Sequence, residues 1–467
     1  MEDRKGTNIT PLFRFPFSVV RSTFVPTVFL SIFRRMTQYR MPYTFQNTPT
    51  SRPQTGYLHV LSKYLMILVL LAGWPSLVSS QSPNSSVSIS TDFEGGNLGE
   101  ITQLSDTHWQ CALAGESDSE QRNRQASWYY FRIDGVQGQP LTIELTDLIG
   151  EYNYKVGSHP VTSETRPVIS YDQTHWRHLD DSEVHWNEEQ IVLRLTFAPK
   201  KDTVWVAHVP PYTTEPLQQL LATYAFHPAV TLDTMGHTPE GRPLSLMTIT
   251  NPDISTEQKK VVWLMARQHS WEAGTSWVME GAIRYLLDSA AGDGLRDQIV
   301  FRLIPMGDPD GVARGGVRFN AFGHDLNRNW DYVIPEEMPE IHTQKTAITD
   351  WLSQGNNIDL FITLHNTESA DYVQGPDLPV GQALWQSMVD HSSFESEEGL
   401  RPMPTSTTPG KPGRMTVNQA LWAEQQVPAY LMELKVEKVG KLDGRRSVED
   451  WLALGPKLVE AIAQAVQ

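Results

Sequence analysis

Between residues 91 and about 213, apolar and polar positions alternate over short runs: "WYYFRID", "LTIELTDL", "IVLRLTF" and "VWVAHV", separated by Gly, Pro and Asp/Asn turns. Period-two runs of this length predict half-buried strands, and their spacing predicts a small antiparallel β-sandwich. The many Trp, Tyr and His residues here read as core or cross-strand packing and not as ligands. After "EPLQQLLATYAF" the rhythm changes. The strands become continuous apolar runs, "VVWLMA", "IVFRLIP", "IDLFITLH" and "PAYLMELKV", with helical stretches over roughly 275–288, 340–354 and 380–394 and a last helix in "VEDWLALGPKLVEAIAQAVQ". Apolar runs separated by helices predict an α/β sheet covered on both faces. At 467 residues the chain exceeds what one core usually serves. It divides into a leader over 1–80, a polar linker over 81–90, a β-sandwich over 91–222 and an α/β domain over 223–467, with no internal repeat.

Ligands of α/β sheets gather at the carboxyl ends of strands. Three of these strands end in acid–base or metal-type residues: "VVWLMARQHSWE" delivers His269 and Glu272, "IDLFITLH" delivers His365, and "PAYLMELK" carries Glu433. His-x-x-Glu occurs four times in the chain, at His185/Glu188, His237/Glu240, His269/Glu272 and His365/Glu368. Only His269/Glu272 follows a buried strand as a pair. Two imidazoles and one carboxylate form the ligand set of a catalytic zinc that keeps a fourth position for water. On residue types alone, an ordinary loop containing His269 and Glu272 stays equally open.

Charge narrows the partners. The first 80 residues hold nine Lys/Arg against two acids, which leaves −23 for the remaining 387. A body that acidic excludes nucleic acid as a partner and offers no basic stripe to anionic lipid. Within the leader, Lys63 precedes about ten apolar residues, with small Val78 and Ser80 at the −3 and −1 positions of a cleavage site. This layout predicts a secretory signal over 63–80 and export, periplasmic or secreted, with an uncleaved membrane anchor as the alternative. Its distance from Met1 points to a start at Met41 or Met66. Cys111 is the only cysteine, so no internal disulfide forms, and no cysteine follows the signal to carry a lipid. A small buried side chain is its expected role.

The loop "PMGDPDGVARGGVRFNAFGHDLNRNW" concentrates Arg318, Asp325, Asn327 and Arg328 between two of the strands. Arg-x-Asn-Ala-x-Gly-x-Asp-Leu-Asn-Arg over 318–328, together with "HSWEAGTSWVMEG", resembles the carboxypeptidase-A-like metallocarboxypeptidases, most of all their cytosolic-carboxypeptidase-like branch. Upstream, "FEGGNLGEI", "WYYFRI", "YNYKVGSHPV" and "AHVPPYT" are similar to that branch's accessory β-domain, so the likeness covers roughly residues 90–467. It implies a mixed sheet flanked by helices and one zinc ion bound by His269, Glu272 and His365. Asp325 would hold the outer nitrogen of His269. Glu433 would be the general base for water, and Arg318 would polarise the scissile carbonyl. Asn327 and Arg328 would grip the terminal carboxylate of a peptide or protein chain, the guanidinium offering a two-pronged match.

Two departures stand out. Ser-Trp at 270–271 replaces the Pro-Gly usual in this branch, making Trp271 either a channel wall or packing. No tyrosine occupies "PGKPGRMTVNQALW", where the digestive enzymes carry a mobile one, and Tyr430 is no obvious substitute. Lys411 and Arg414 in that stretch would favour an acidic terminal residue if they lined the pocket, or else belong to a solvated loop. The expectation is a zinc metallocarboxypeptidase. Its rivals are a zinc amidase, deacylase or cell-wall peptide carboxypeptidase acting on small carboxylate-bearing amides, and a catalytically dead peptide-binding module. Stable membrane contact is expected only if the signal segment stays uncleaved.

Overall fold

The computed structural model describes residues 87–121, 124–152, 155–404 and 413–467. The leader, its signal segment over 63–80 and Lys411 therefore lie outside the described residues. Among the described residues no helix is long and apolar enough to cross a membrane.

Two five-stranded sheets form the first part of the described chain. One runs Ser88–Ser90, Tyr130–Asp134, Thr203–Ala207, Val168–Ser170, Trp176–His178; the other runs Val184–Asn187, Val192–Phe197, Leu141–Thr146, His108–Ala112, Ile101–Ser105. Ser88–Ser90, in the stretch read as linker, is an edge strand paired with Tyr130–Asp134. The sandwich is not wholly antiparallel, since His108–Ala112 pairs parallel with Leu141–Thr146. Period-two burial fills the space between the sheets: Phe131, Ile133, Val204 and Val206 face Cys111, Ile143, Leu145 and Leu193. The opposite face of the first sheet, with Tyr130 and Ala207, packs into the core of the α/β part.

That second core is built on an eight-stranded mixed sheet. Its order is Val230–His237, Pro243–Ile249, Ile299–Ile304, Lys260–Ala266, Leu360–Thr367, Ala429–Lys435, Tyr372–Gly375, Arg401–Pro402. The four central strands, Ile299–Ile304 to Ala429–Lys435, are parallel. Along Lys260–Ala266, Val262, Leu264 and Ala266 face the helices Ala273–Asp288 and Val448–Ala465, while Val261, Trp263 and Met265 face Pro339–Ser353 and Val417–Gln425. Both faces are covered, which is why these strands read as unbroken apolar runs. The two long helices touch backbone to backbone. A Cβ on Gly281 would lie 2.1 Å from Leu452 O.

The register of the parallel strands fixes where chemistry can sit. His365 and Glu433 are Cα partners on adjacent strands, and Ala266 pairs with Leu364 just before the chain leaves the sheet toward His269. The helix Thr214–Tyr224 follows the sandwich and buries Leu217, Leu220 and Leu221 in the core of the α/β part.

Candidate active site

Residues 267–272 turn the chain from the end of Lys260–Ala266 into the helix Ala273–Asp288, with Glu272 as the entry residue. Arg267 holds this turn. It sits at φ +59°, a conformation costing a non-glycine residue about 1–3 kcal/mol. Its buried guanidinium donates to Ser270 O at 2.9 and 2.7 Å, to Tyr212 O at 3.0 Å and to Ser276 Oγ at 3.0 Å, bonds that outweigh the strain.

The turn places Glu272 between two imidazoles. Its Oε1 lies 2.8 Å from His269 Nδ1 and its Oε2 lies 2.9 Å from His365 Nδ1, with all three residues buried. The outer nitrogens are committed elsewhere. His269 Nε2 meets Asp325 Oδ1 at 3.1 Å, and His365 Nε2 meets Thr363 Oγ1 at 3.0 Å. The Thr363 hydroxyl donates to Gln268 Oε1 at 2.8 Å, and Gln268 Nε2 donates to Leu326 O. Both Nδ1 atoms face the Glu272 carboxylate, within a group of donor atoms lying within 4.8 Å of one another. Burial works against the Glu272 charge, yet the two imidazoles hold its carboxyl below the ordinary range. Two imidazole nitrogens and a carboxylate converging on one buried point form a donor set for a cation, and their types fit zinc.

Around this trio the loop residues come together. Arg318 Nε donates to Asp325 Oδ2 at 2.7 Å, and its Nη1 lies 3.5 Å from His269 Nδ1. Burial opposes ionisation of Asp325, but Arg318, Arg328 and His269 hold it well below the usual carboxylate range. Asn327 Oδ1 accepts from Val417 N at 3.0 Å, which turns its Nδ2 toward His365 at 3.1 Å. Arg328 Nη1 donates to Asn327 O at 2.7 Å. All of these except Asp325 line one cavity of about 220 Å³, and so does Glu433. Among the described residues, the Glu433 Oε2 is buried without a hydrogen-bond partner. Burial, then the nearby Glu272 charge, raises its carboxyl well above the ordinary range against the pull of Arg318. A larger cleft of about 730 Å³ lies at the amino ends of the parallel strands, beside Lys260 and Asp359, and holds none of these groups.

Residues 217–374 match the zinc carboxypeptidase family, and residues 89–209 match the cytosolic carboxypeptidase N-terminal domain. The chain thus carries a zinc carboxypeptidase domain preceded by a cytosolic carboxypeptidase N-terminal domain. Cytosolic carboxypeptidase 3 of Bos taurus is 28% identical over 291 residues, covering 58% of this chain and 28% of the relative. Cytosolic carboxypeptidase 2 of Homo sapiens is 28% identical over 287 residues, covering 56% of this chain and 31% of the relative. The chain thus spans less than a third of the length of those relatives. A crystal structure of a metallo-carboxypeptidase from Burkholderia cenocepacia shares the fold, with a TM-score of 0.68 at 23% identity over 82% of this chain and 99% of that one.

The matches correct one expectation. Export, inferred from the apolar run over 63–80, is contradicted, because the N-terminal domain and the named relatives are those of cytosolic carboxypeptidases. That pattern of Lys63, an apolar stretch and small residues is short and degenerate, whereas the domain match spans residues 89–209.

Other candidates fall away from the site. His324 bonds Glu337 at 2.9 Å, and His185 and His237 are exposed on strands of other sheet regions. Trp271 is packing: it is buried edge-on against His208 and is not part of the cavity wall. Tyr430 bonds Pro376 O beneath the sheet, and Arg414 does not line the cavity. Sequence reasoning missed Arg267, Gln268, Thr363 and Tyr372. Tyr372 lines the cavity as the antiparallel partner of Glu433, and the only signal for it was a short "DYVQG" run after the His365 strand.

Proposed function

We propose that the protein is a zinc-dependent metallocarboxypeptidase releasing C-terminal residues from peptides or proteins, with the α/β part over 223–467 as catalytic domain and the sandwich over 91–222 as accessory domain. The observation that carries this reading is the shared cavity, in which the Glu433 carboxyl lies with the His269, Glu272 and His365 set beside Arg318. His269, Glu272 and His365 would hold zinc, with Asp325 fixing the His269 ring. Bound there, zinc supplies the Lewis acidity that makes water a nucleophile near neutral pH.

The protein's own residues do the rest. Asn327 and Arg328 take the free carboxylate of the substrate and so set the scissile bond one residue from the chain end. Arg318 points its guanidinium at the carbonyl oxygen and stabilises the negative charge that develops there. Glu433 accepts a proton as the water oxygen bonds to the carbonyl carbon, then returns it to the amide nitrogen as the C–N bond breaks. A raised carboxyl pKa suits both halves of that transfer. Glu433→Gln tests the reading: zinc stays stoichiometric and peptide binding persists while hydrolysis falls by about a thousandfold or more. Hydrolysis left intact in that variant would remove Glu433 from the mechanism.

A further inference from the structure

The loop that carries Arg318 follows a short helix, Pro309–Arg314, and has one isolated bridge of its own, between Phe319 and Asp325; together, helix and loop are held at three points by the sandwich. At the first, Gly95 N donates to Ala313 O at 3.0 Å, and Asn97 Nδ2 donates to Gly315 O at 2.6 Å. Gly315 sits at φ +70°, and a Cβ there would lie 2.5 Å from Gly96 O, so only glycine allows this approach. At the third, Ser119 N donates to Gly323 O at 3.0 Å.

Between them lies the strongest contact. One oxygen of Glu116, Oε2, accepts three consecutive backbone N–H groups, from Val317 at 3.0 Å, Arg318 at 2.5 Å and Phe319 at 2.8 Å. Successive N–H groups aimed at one anion form a concavity that a carboxylate fills with charge-assisted bonds. Glu116 is itself fixed in the sandwich, since its backbone exchanges bonds of 2.8 and 2.7 Å with Gln125. The chain of contacts then runs from Glu116 through the Arg318 backbone to the Arg318–Asp325 pair, and from Asp325 to His269.

We propose that the sandwich is a working part of the active site, with Glu116 as the positioning residue that aims Arg318 at the scissile carbonyl. This rests on the role given to Arg318 above. Glu116 touches no substrate; it acts by fixing the backbone from which Arg318 projects.

The test is a double-mutant cycle on the zinc-loaded full chain, with amide hydrogen exchange read on the same samples. Glu116→Ala is expected to lower kcat about tenfold with KM within about twofold, since an oxyanion donor misplaced by a fraction of an ångström acts mainly on the transition state. Glu116→Gln, which keeps a carbonyl acceptor, restores most of that loss. In an Arg318→Ala background, Glu116→Ala costs nothing further. Independently of activity, the 317–319 amides exchange slowly in the parent and quickly in Glu116→Ala. Equal losses in both backgrounds, or protection of those amides unchanged by Glu116→Ala, overturn the proposal. A zinc-loaded parent that cleaves no peptide would overturn the carboxypeptidase reading, and the exchange arm would still decide whether Glu116 holds the loop.

Discussion

The metal-type trio and the loop at 315–328 meet in one cavity but are placed by different means. His365 and Glu433 stand on paired parallel strands, and His269 and Glu272 follow a third, so the sheet register itself brings them together. Arg318, Asn327 and Arg328 come from a segment without helix or ladder. Their positions depend on Glu116 of the sandwich, on Val417 N and on Asp325. A site can thus be half local and half tertiary. The half with the metal-type donors is rooted in the core, and the half proposed to meet substrate is lashed down from outside.

If that division is real, substitutions should sort into two groups. The largest effect is expected from His365→Ala, which removes a ligand from the rigid half. Zinc content should fall from one per chain to below detection and activity with it, by about a thousandfold or more, as read by metal analysis after dialysis. Arg318→Ala should keep zinc stoichiometric yet lower kcat by about 10²–10³, comparable to deleting an oxyanion donor. Loss of zinc in that variant would erase the distinction between the halves. Thr363→Val removes the hydroxyl that meets the His365 outer nitrogen; zinc affinity measured by competition with a chelator should weaken about 10–100-fold. Arg328→Ala should raise KM about tenfold with kcat little changed, because a carboxylate grip is shared by ground and transition states. The smallest effect is expected at Cys111. Burial in the sandwich raises its thiol pKa to about 12, so it should resist alkylation at pH 8 until the sandwich unfolds, and alkylation in the native protein would show that part opening on its own.

The same division explains what could be read from the sequence. Apolar runs such as "VVWLMA" and "IDLFITLH" announce buried parallel strands, and the residues that leave them are the trio itself. The motif over 318–328 announced its chemistry but not its geometry. Glu116 lies 202 positions from Arg318, in a polar stretch, "GESDSE", with no periodicity to mark it. Thr363 and Gln268 were hidden for another reason: inside a buried run or at its edge, a hydroxyl or amide looks like tolerated polarity until its partner is seen. Tyr372 was hidden because its strand is short and pairs antiparallel at the side of Glu433, a crossover that apolar rhythm does not encode. The hairpin of Val230–His237 and Pro243–Ile249 escaped because Val230–His237 is largely exposed. Trp271 left a channel wall and packing equally open in the sequence, because only its ring direction, edge-on to His208, decides between them.

The central claim is that one cavity joins a zinc-type trio to a grip for a free chain end. The most direct measurement is product analysis by mass spectrometry after incubating the zinc-loaded protein with paired peptides identical except for a free or amidated C-terminus. Single terminal residues should be lost from the free-acid peptides and none from the amides. Equal cleavage of both forms, or cuts within the peptides, would contradict the claim.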